Sequence, residues 1–191
     1  MRPRTARRLV TAAVLAATLP GAASCAVGPE RTIPVGAVAP APAGSASPAA
    51  PVVPAQVPET LSFTAKTLDG TAFSAAALAG KPVVLWFWAP WCATCASQAW
   101  TVAEIAPKYR DTVPIVGVAG LGEQKAMKEF VSEFELAGTP QLDDRSGALW
   151  RRFEVVEQST FVIVDRDGRV VHQGFLDGES LTRQVDALAR G

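Results

Sequence analysis

Cys92 and Cys95, separated by two residues in the run Phe87-Trp88-Ala89-Pro90-Trp91-Cys92-Ala93-Thr94-Cys95, are the residues of this chain best placed to do chemistry. Two thiols at that spacing can interconvert between a dithiol and a disulfide. The thiolate is the reactive form, so the surroundings must favour it at one of the two sulfurs. Zinc is the competing use of paired cysteines, and it needs a second ligand pair of similar spacing. Outside the pair the chain has one cysteine, Cys25, and one histidine, His172, so no metal site is expected there.

The elements around the pair must supply the thiolate-favouring position. Val83 to Phe87 is apolar throughout and rich in valine and aromatics, as a strand buried on both faces would be. A helical pattern follows at once, with small or apolar residues at Cys95, Ala96, Ala99, Val102, Ala103 and Ala106. Cys92 then falls at the helix N-terminus, where unpaired N–H groups and the macrodipole stabilise negative charge. Pro107 is expected to end or kink this helix.

The domain is expected to begin near Glu59. Leu61 to Ala65 alternates like a strand, Asp69-Gly70 makes a turn and Thr71 to Phe73 returns, which gives a hairpin. Ser74 is read as the cap of a short helical turn through Leu78, ended by Gly80. Val113 to Ala119 is a second apolar strand. Gly120-Leu121-Gly122 is too short for a nucleotide loop and reads as a turn. A helix from Glu123 to Leu136 carries Ala126, Met127, Phe130, Val131 and Phe134 on one stripe. Asp143-Asp144 decorates a loop before a short helix from Ser146 to Phe153. Thr160 to Val164 and Arg169 to Phe175 flank the turn Asp165 to Gly168 as a hairpin, and Ser180 to Arg190 closes the chain as a helix with Leu181, Val185 and Leu188 inward. This order defines an α/β class, with a central mixed β-sheet flanked by helices on both faces and an N-terminal β-hairpin extension.

Residues 1–25 read as an export signal. Four arginines precede an apolar run from Leu9 to Leu19, then Pro20-Gly21 and small residues lead to Cys25. That run is too short to span a bilayer as a permanent helix. Ala22-Ala23-Ser24-Cys25 resembles a bacterial lipobox, with Ala22 where leucine is preferred, so Cys25 is a candidate lipid attachment site. Cleavage near Cys25 and release as a secreted protein is the alternative. Residues 26–58 hold eight prolines and nine alanines without periodicity or aromatics, the composition of an extended, disordered tether. In a polyproline-like conformation it would reach roughly 100 Å. Residues 59–191 carry 13 basic and 17 acidic residues and no basic stripe, which excludes nucleic acid as a partner.

The element order together with the Trp-Cys-Ala-Thr-Cys motif resembles the thioredoxin superfamily, and within it the secreted, membrane-tethered branch typified by TlpA, ResA and DsbE. The resemblance covers residues 59–191 and implies a thioredoxin-like fold with a redox-active disulfide. It makes Cys92 the nucleophile and Cys95 the resolving thiol. The helix position agrees, because Cys92 lies nearer the N-terminus and should be the more exposed. Trp91, Gln158 and Ser159 fall where the family lines its substrate groove.

Four positions depart from the family. Ser159 stands where a cis-proline usually faces the disulfide, and a non-proline cis bond costs about 2.5–4 kcal/mol, so a trans bond is expected there. Trp86 and Gln98 stand where thioredoxins and the ResA-like branch, respectively, carry an acid. Trp100 replaces a proline that often kinks the helix. Without the acids, resolution would depend on water or on a shifted thiolate equilibrium, and the Cys92 thiolate is favoured. A stabilised reduced form makes the pair a stronger oxidant.

The implied activity is extracytoplasmic thiol-disulfide exchange with the cysteines of protein substrates, without a cofactor, in the direction of disulfide formation. A membrane redox partner would reset the dithiol, and a lipid anchor would hold the protein at the membrane. The same motif also serves a reductant of apocytochrome c or other oxidised proteins. A rival of another class is a copper chaperone-like metal-binding protein, for which His172 is the one available histidine. A thiol peroxidase is disfavoured by the lack of a Thr-x-x-Cys context.

Overall fold

The computed structural model describes residues 56–191. The expected export signal, Cys25 and all but the last three residues of the expected tether lie outside the described residues. A 3-10 turn at Glu59–Leu61 opens the fold. The hairpin follows as β1 (Thr64–Lys66) paired antiparallel with β2 (Ala72–Ser74). Its first strand starts three residues later than the alternation suggests, because Leu61 is buried in the preceding turn instead. Ser74 precedes the 3-10 turn Ala75–Leu78 but its hydroxyl makes no capping bond.

The central strand is β3 (Val83–Trp88), and none of its residues is more than 1% exposed. Its side chains alternate between two cores. Val84, Trp86 and Trp88 enter one, and Val83, Leu85 and Phe87 enter the other. Full burial of a large apolar side chain is worth about 1.5–3 kcal/mol, so this strand is a principal source of stability.

Helix α1 (Ala93–Tyr109) follows β3 and packs on the first core. It runs two residues beyond Pro107, contrary to a stop there, since a proline in the last turn removes only the bond to the Ala103 carbonyl. Strand β4 (Ile115–Ala119) lies parallel to β3. Helix α2 (Gln124–Glu133) is shorter than the stripe suggests. Glu135 takes a left-handed φ of 56°, and Leu136–Gly138 forms a separate 3-10 turn.

Strand β5 (Gln141–Asp143), which the sequence pattern does not predict, pairs parallel with β4. The Asp143-Asp144 loop is therefore partly strand. Asp144 is 3% exposed, and its carboxylate accepts the N–H groups of Ala148, Leu149 and Trp150 at 2.8–3.0 Å. It thus satisfies the orphan donors that open helix α3 (Ala148–Arg152).

Strands β6 (Thr160–Val164) and β7 (Val170–Gly174) form the expected hairpin. Asp165 closes its turn by accepting the N–H groups of Asp167 and Arg169. Helix α4 (Gly178–Arg190) starts two residues early because Asp177 caps it through the Ser180 N–H at 2.7 Å. The sheet order is β5-β4-β3-β6-β7, with β3 to β5 parallel and the last hairpin antiparallel. Helices α1, α2 and α4 cover one face. The other is covered by α3, the first hairpin and the two early 3-10 turns rather than by a full helical layer. Among the described residues no helix is long and apolar enough to cross a membrane.

Candidate active site

The end of β3 and the start of α1 place the two cysteines. Cys92 is the N-cap of α1 with an extended backbone, and its Sγ accepts the Cys95 N–H at 3.0 Å. The sulfur therefore takes the place of the oxygen that normally caps a helix. Cys92 and Cys95 form a disulfide with Cα atoms 5.2 Å apart. Cys92 is 6% exposed and Cys95 is fully buried, so the expected order of accessibility holds.

Trp91 is 62% exposed, and its indole Nε1 donates to the Leu121 carbonyl at 2.6 Å. Leu121 is 53% exposed with a φ of 54°. The turn at Gly120-Leu121-Gly122 is thus part of the site. The Gly120 N–H donates to the Trp88 carbonyl at 3.0 Å, and a Cβ at Gly122 would overlap the Pro90 ring. The glycines of this turn are legible in the sequence, but nothing local links them to Trp91.

Ser159 has a trans peptide bond, as expected, and a left-handed φ of 70°. Its N–H donates to the Phe87 carbonyl at 2.9 Å, which brings it beside the end of β3. It is buried, and its hydroxyl has no hydrogen-bond partner among the described residues. Gln158 is half-buried, and among the described residues its backbone N–H and C=O make no hydrogen bond.

Gln98 is the residue whose role sequence reasoning missed. It is 3% exposed, accepts the Trp86 indole N–H at 2.8 Å, and donates to the carbonyls of Leu176 at 3.0 Å and Ser159 at 3.2 Å. A signal exists, since Gln98 lies three residues after Cys95 on the buried face of the helix. A buried amide must have partners. Trp88 makes a similar bond to Gln141 Oε1 at 2.9 Å, for which Gly117 leaves room. Trp100 lies on the outer side, edge-on to Phe134 at 5.2 Å between ring centroids.

His172 does not join the cysteines. It sits on β7 opposite Ile163, which pairs with Val84, four residues short of Trp88 at the cysteine end of β3. That offset alone is roughly 13 Å along the strand. Among the described residues no three His, Cys, Asp or Glu side chains gather as a metal site.

A Cys-x-x-Cys disulfide capping the helix that follows the central strand of this mixed sheet defines a thioredoxin-like protein. The model of the AhpC/TSA family matches residues 55–173, and the chain belongs to that family. The soluble secreted antigen MPT53 of Mycobacterium tuberculosis is 43% identical over 110 residues, 58% of this chain. The match spans 62% of that antigen, less than two thirds of its length. The thiol-disulfide oxidoreductase ResA of Bacillus anthracis is 30% identical over 133 residues, which cover 69% of this chain and 75% of ResA. Among solved structures, MTB DsbF in its mixed oxidized and reduced forms is 44% identical with a TM-score of 0.65, covering 70% of this chain and 99% of that one.

Proposed function

We propose that this protein is an extracytoplasmic thiol-disulfide oxidoreductase that donates the Cys92–Cys95 disulfide to cysteines of protein substrates. The observation that carries the reading is the Cys95 N–H directed at Cys92 Sγ at the N-cap of α1, in surroundings where neutral Gln98 and Trp86 stand in place of acids. A helix N-terminus lowers a thiol pKa, and without a carboxylate at position 86 or 98 neither of these residues opposes that effect. The reduced form is then stabilised, which makes the disulfide an oxidant. The relatives named thiol-disulfide oxidoreductase and secreted antigen support both the activity and the location.

In the forward direction a substrate thiolate attacks Cys92 Sγ and breaks the Cys92–Cys95 bond. A mixed disulfide forms, and Cys95 leaves as a thiolate that takes a proton from water. The second substrate thiolate then attacks the substrate sulfur of the mixed disulfide and releases Cys92 as a thiolate. Two electrons pass to the protein, and a membrane redox partner removes them. Trp91, Gln158 and Ser159 line the groove that receives the substrate chain.

Residues 1–25 act as the export signal, 26–58 as the tether and 59–191 as the working domain. Acylation of Cys25 would hold the domain at the membrane, and labelling cells with a radioactive fatty acid tests it against a Cys25→Ala variant. The reduction potential of the purified protein, titrated in thiol/disulfide buffers, tests the direction. A value of about −120 to −200 mV is expected of an oxidant. A value near −270 mV or lower, about that of thioredoxin, would overturn the oxidative direction and assign the protein to reduction of apocytochrome c or other oxidised targets.

A further inference from the structure

Gln98 lies one helical turn beyond Cys95 and joins three separate parts of the fold: β3 through Trp86, the segment before β6 through Ser159, and the segment before α4 through Leu176. The orientation of its amide is set by its partners. The indole N–H can only donate and the two carbonyls can only accept, so Oε1 must face Trp86 and Nε2 must face the carbonyls.

Ser159 requires such a restraint. At a φ of 70° its Cβ crowds the following carbonyl, and a residue other than glycine stays in this region only where its surroundings hold it. Two bonds hold its backbone, one from its N–H to the Phe87 carbonyl and one from Gln98 Nε2 to its own carbonyl. Its hydroxyl has no partner among the described residues, so it adds no third. The bond from Gln98 is the one that comes from a side chain.

We propose that Gln98 is a positioning residue that holds Ser159 in its left-handed conformation and thereby fixes the Gln158-Ser159 segment at the end of β3 that leads to the Cys92–Cys95 pair. The effect on catalysis rests on the proposed function, in which that segment lines the substrate groove. The conformational effect does not.

The test compares Gln98→Met in the wild-type and Ser159→Gly backgrounds, using the full-length protein. The readouts are kcat and KM for oxidation of a reduced two-cysteine peptide, and the backbone conformation of residue 159 by NMR scalar couplings and chemical shifts. Gln98→Met alone is expected to release Ser159 from positive φ and to raise KM about tenfold while kcat changes less than about twofold. Glycine occupies the left-handed region without steric cost, so in the Ser159→Gly background the increase should shrink to about threefold or less. The same increase in both backgrounds, or a Ser159 that keeps its positive φ in Gln98→Met, would overturn the proposal. Should Gln98→Met fail to fold, Trp86→Phe frees Oε1 and lets the amide rotate. A KM increase confined to the Ser159 background would then support the proposal, and equal effects in both would overturn it. A wild-type protein that does not oxidise the peptide would overturn the oxidative direction of the proposed function, while the conformation of residue 159 would still decide the role of Gln98.

Discussion

The Trp86 indole nitrogen donates to Gln98 Oε1 across 2.8 Å, so β3 and α1 are joined by a neutral hydrogen bond. Both residues are buried, and the Gln98 amide directs its remaining hydrogens at two carbonyl oxygens. A carboxylate at position 98 would face those oxygens with no proton to give. Gln98→Glu is therefore expected to have a raised pKa in the folded protein. Its stability deficit against wild type should be smallest below the unfolded value of about 4.3 and grow as pH rises through the folded value. At pH 7 the deficit should be about 2–3 kcal/mol. Urea unfolding at pH 4 and pH 7 checks this, and a deficit that is the same at both would count against the neutral network.

Cys92 is slightly more exposed than Cys95, which in the proposed function makes Cys92 the sulfur that meets substrate. Offered a disulfide-bonded peptide, Cys95→Ser should accumulate a mixed disulfide in which the Cys92 thiolate has attacked one peptide sulfur and released the other as a thiolate, visible by mass spectrometry and released by a strong reductant. Cys92→Ser should form none. Adducts on Cys95 in the latter variant would reverse the assignment of nucleophile and resolving thiol.

Leu121 combines an exposed side chain with a φ of 54°, so strain and function are separable there. Leu121→Gly should raise stability by about 0.5 kcal/mol, the relief of left-handed strain less the added freedom of the unfolded chain. The same change removes apolar surface beside Trp91 and should raise KM for peptides with apolar residues next to cysteine. Thermal unfolding and steady-state kinetics read the two effects, and a loss of stability would show that Leu121 is held by contacts rather than strained.

Asp144 accepts three backbone N–H groups at the start of α3 while nearly fully buried. Asp144→Ala leaves these donors without partners and should cost about 2–3 kcal/mol in urea unfolding. Asp144→Asn retains one acceptor oxygen and should lose less. Equal losses would mean that the carboxylate charge, not its geometry, is what matters.

Asp143 titrates below the usual carboxylate range because the Arg145 side chain hydrogen-bonds to it. Its folded pKa is depressed, so its contribution is present above the unfolded value of about 3.9 and is lost as pH falls through the folded value. The stability gap between wild type and Asp143→Asn should therefore close between about pH 5 and pH 2. A gap that persists at the acid end would show that the ion pair is not its source.

Much of the architecture is written in local patterns of the chain. The buried strand ending in Trp88, the helix after Cys92 and the Asp165 to Gly168 hairpin follow from continuous apolar runs, helical periodicity and turn residues, all of which act over a few neighbours. Strand β5 is not legible in this way. It is three residues long and exists because β4 offers its edge. Asp144 reads as loop decoration for the same reason, since its burial depends on where that strand places it.

The site divides along the same line. Local sequence determined the Cys-x-x-Cys pair, its place at a helix N-terminus, the relative exposure of its two residues and the trans bond at Ser159, because each depends on residues within one turn or one peptide. The tertiary structure alone decided that Gln98 joins Trp86, Ser159 and Leu176, that Trp91 is held by Leu121, and that His172 lies away from the cysteines. The Gln98 bonds reach across 12, 61 and 78 residues, and the Trp91 bond across 30. A polar side chain carries its need for a partner in its own chemistry, but which distant group meets that need is fixed only when the strands take their register.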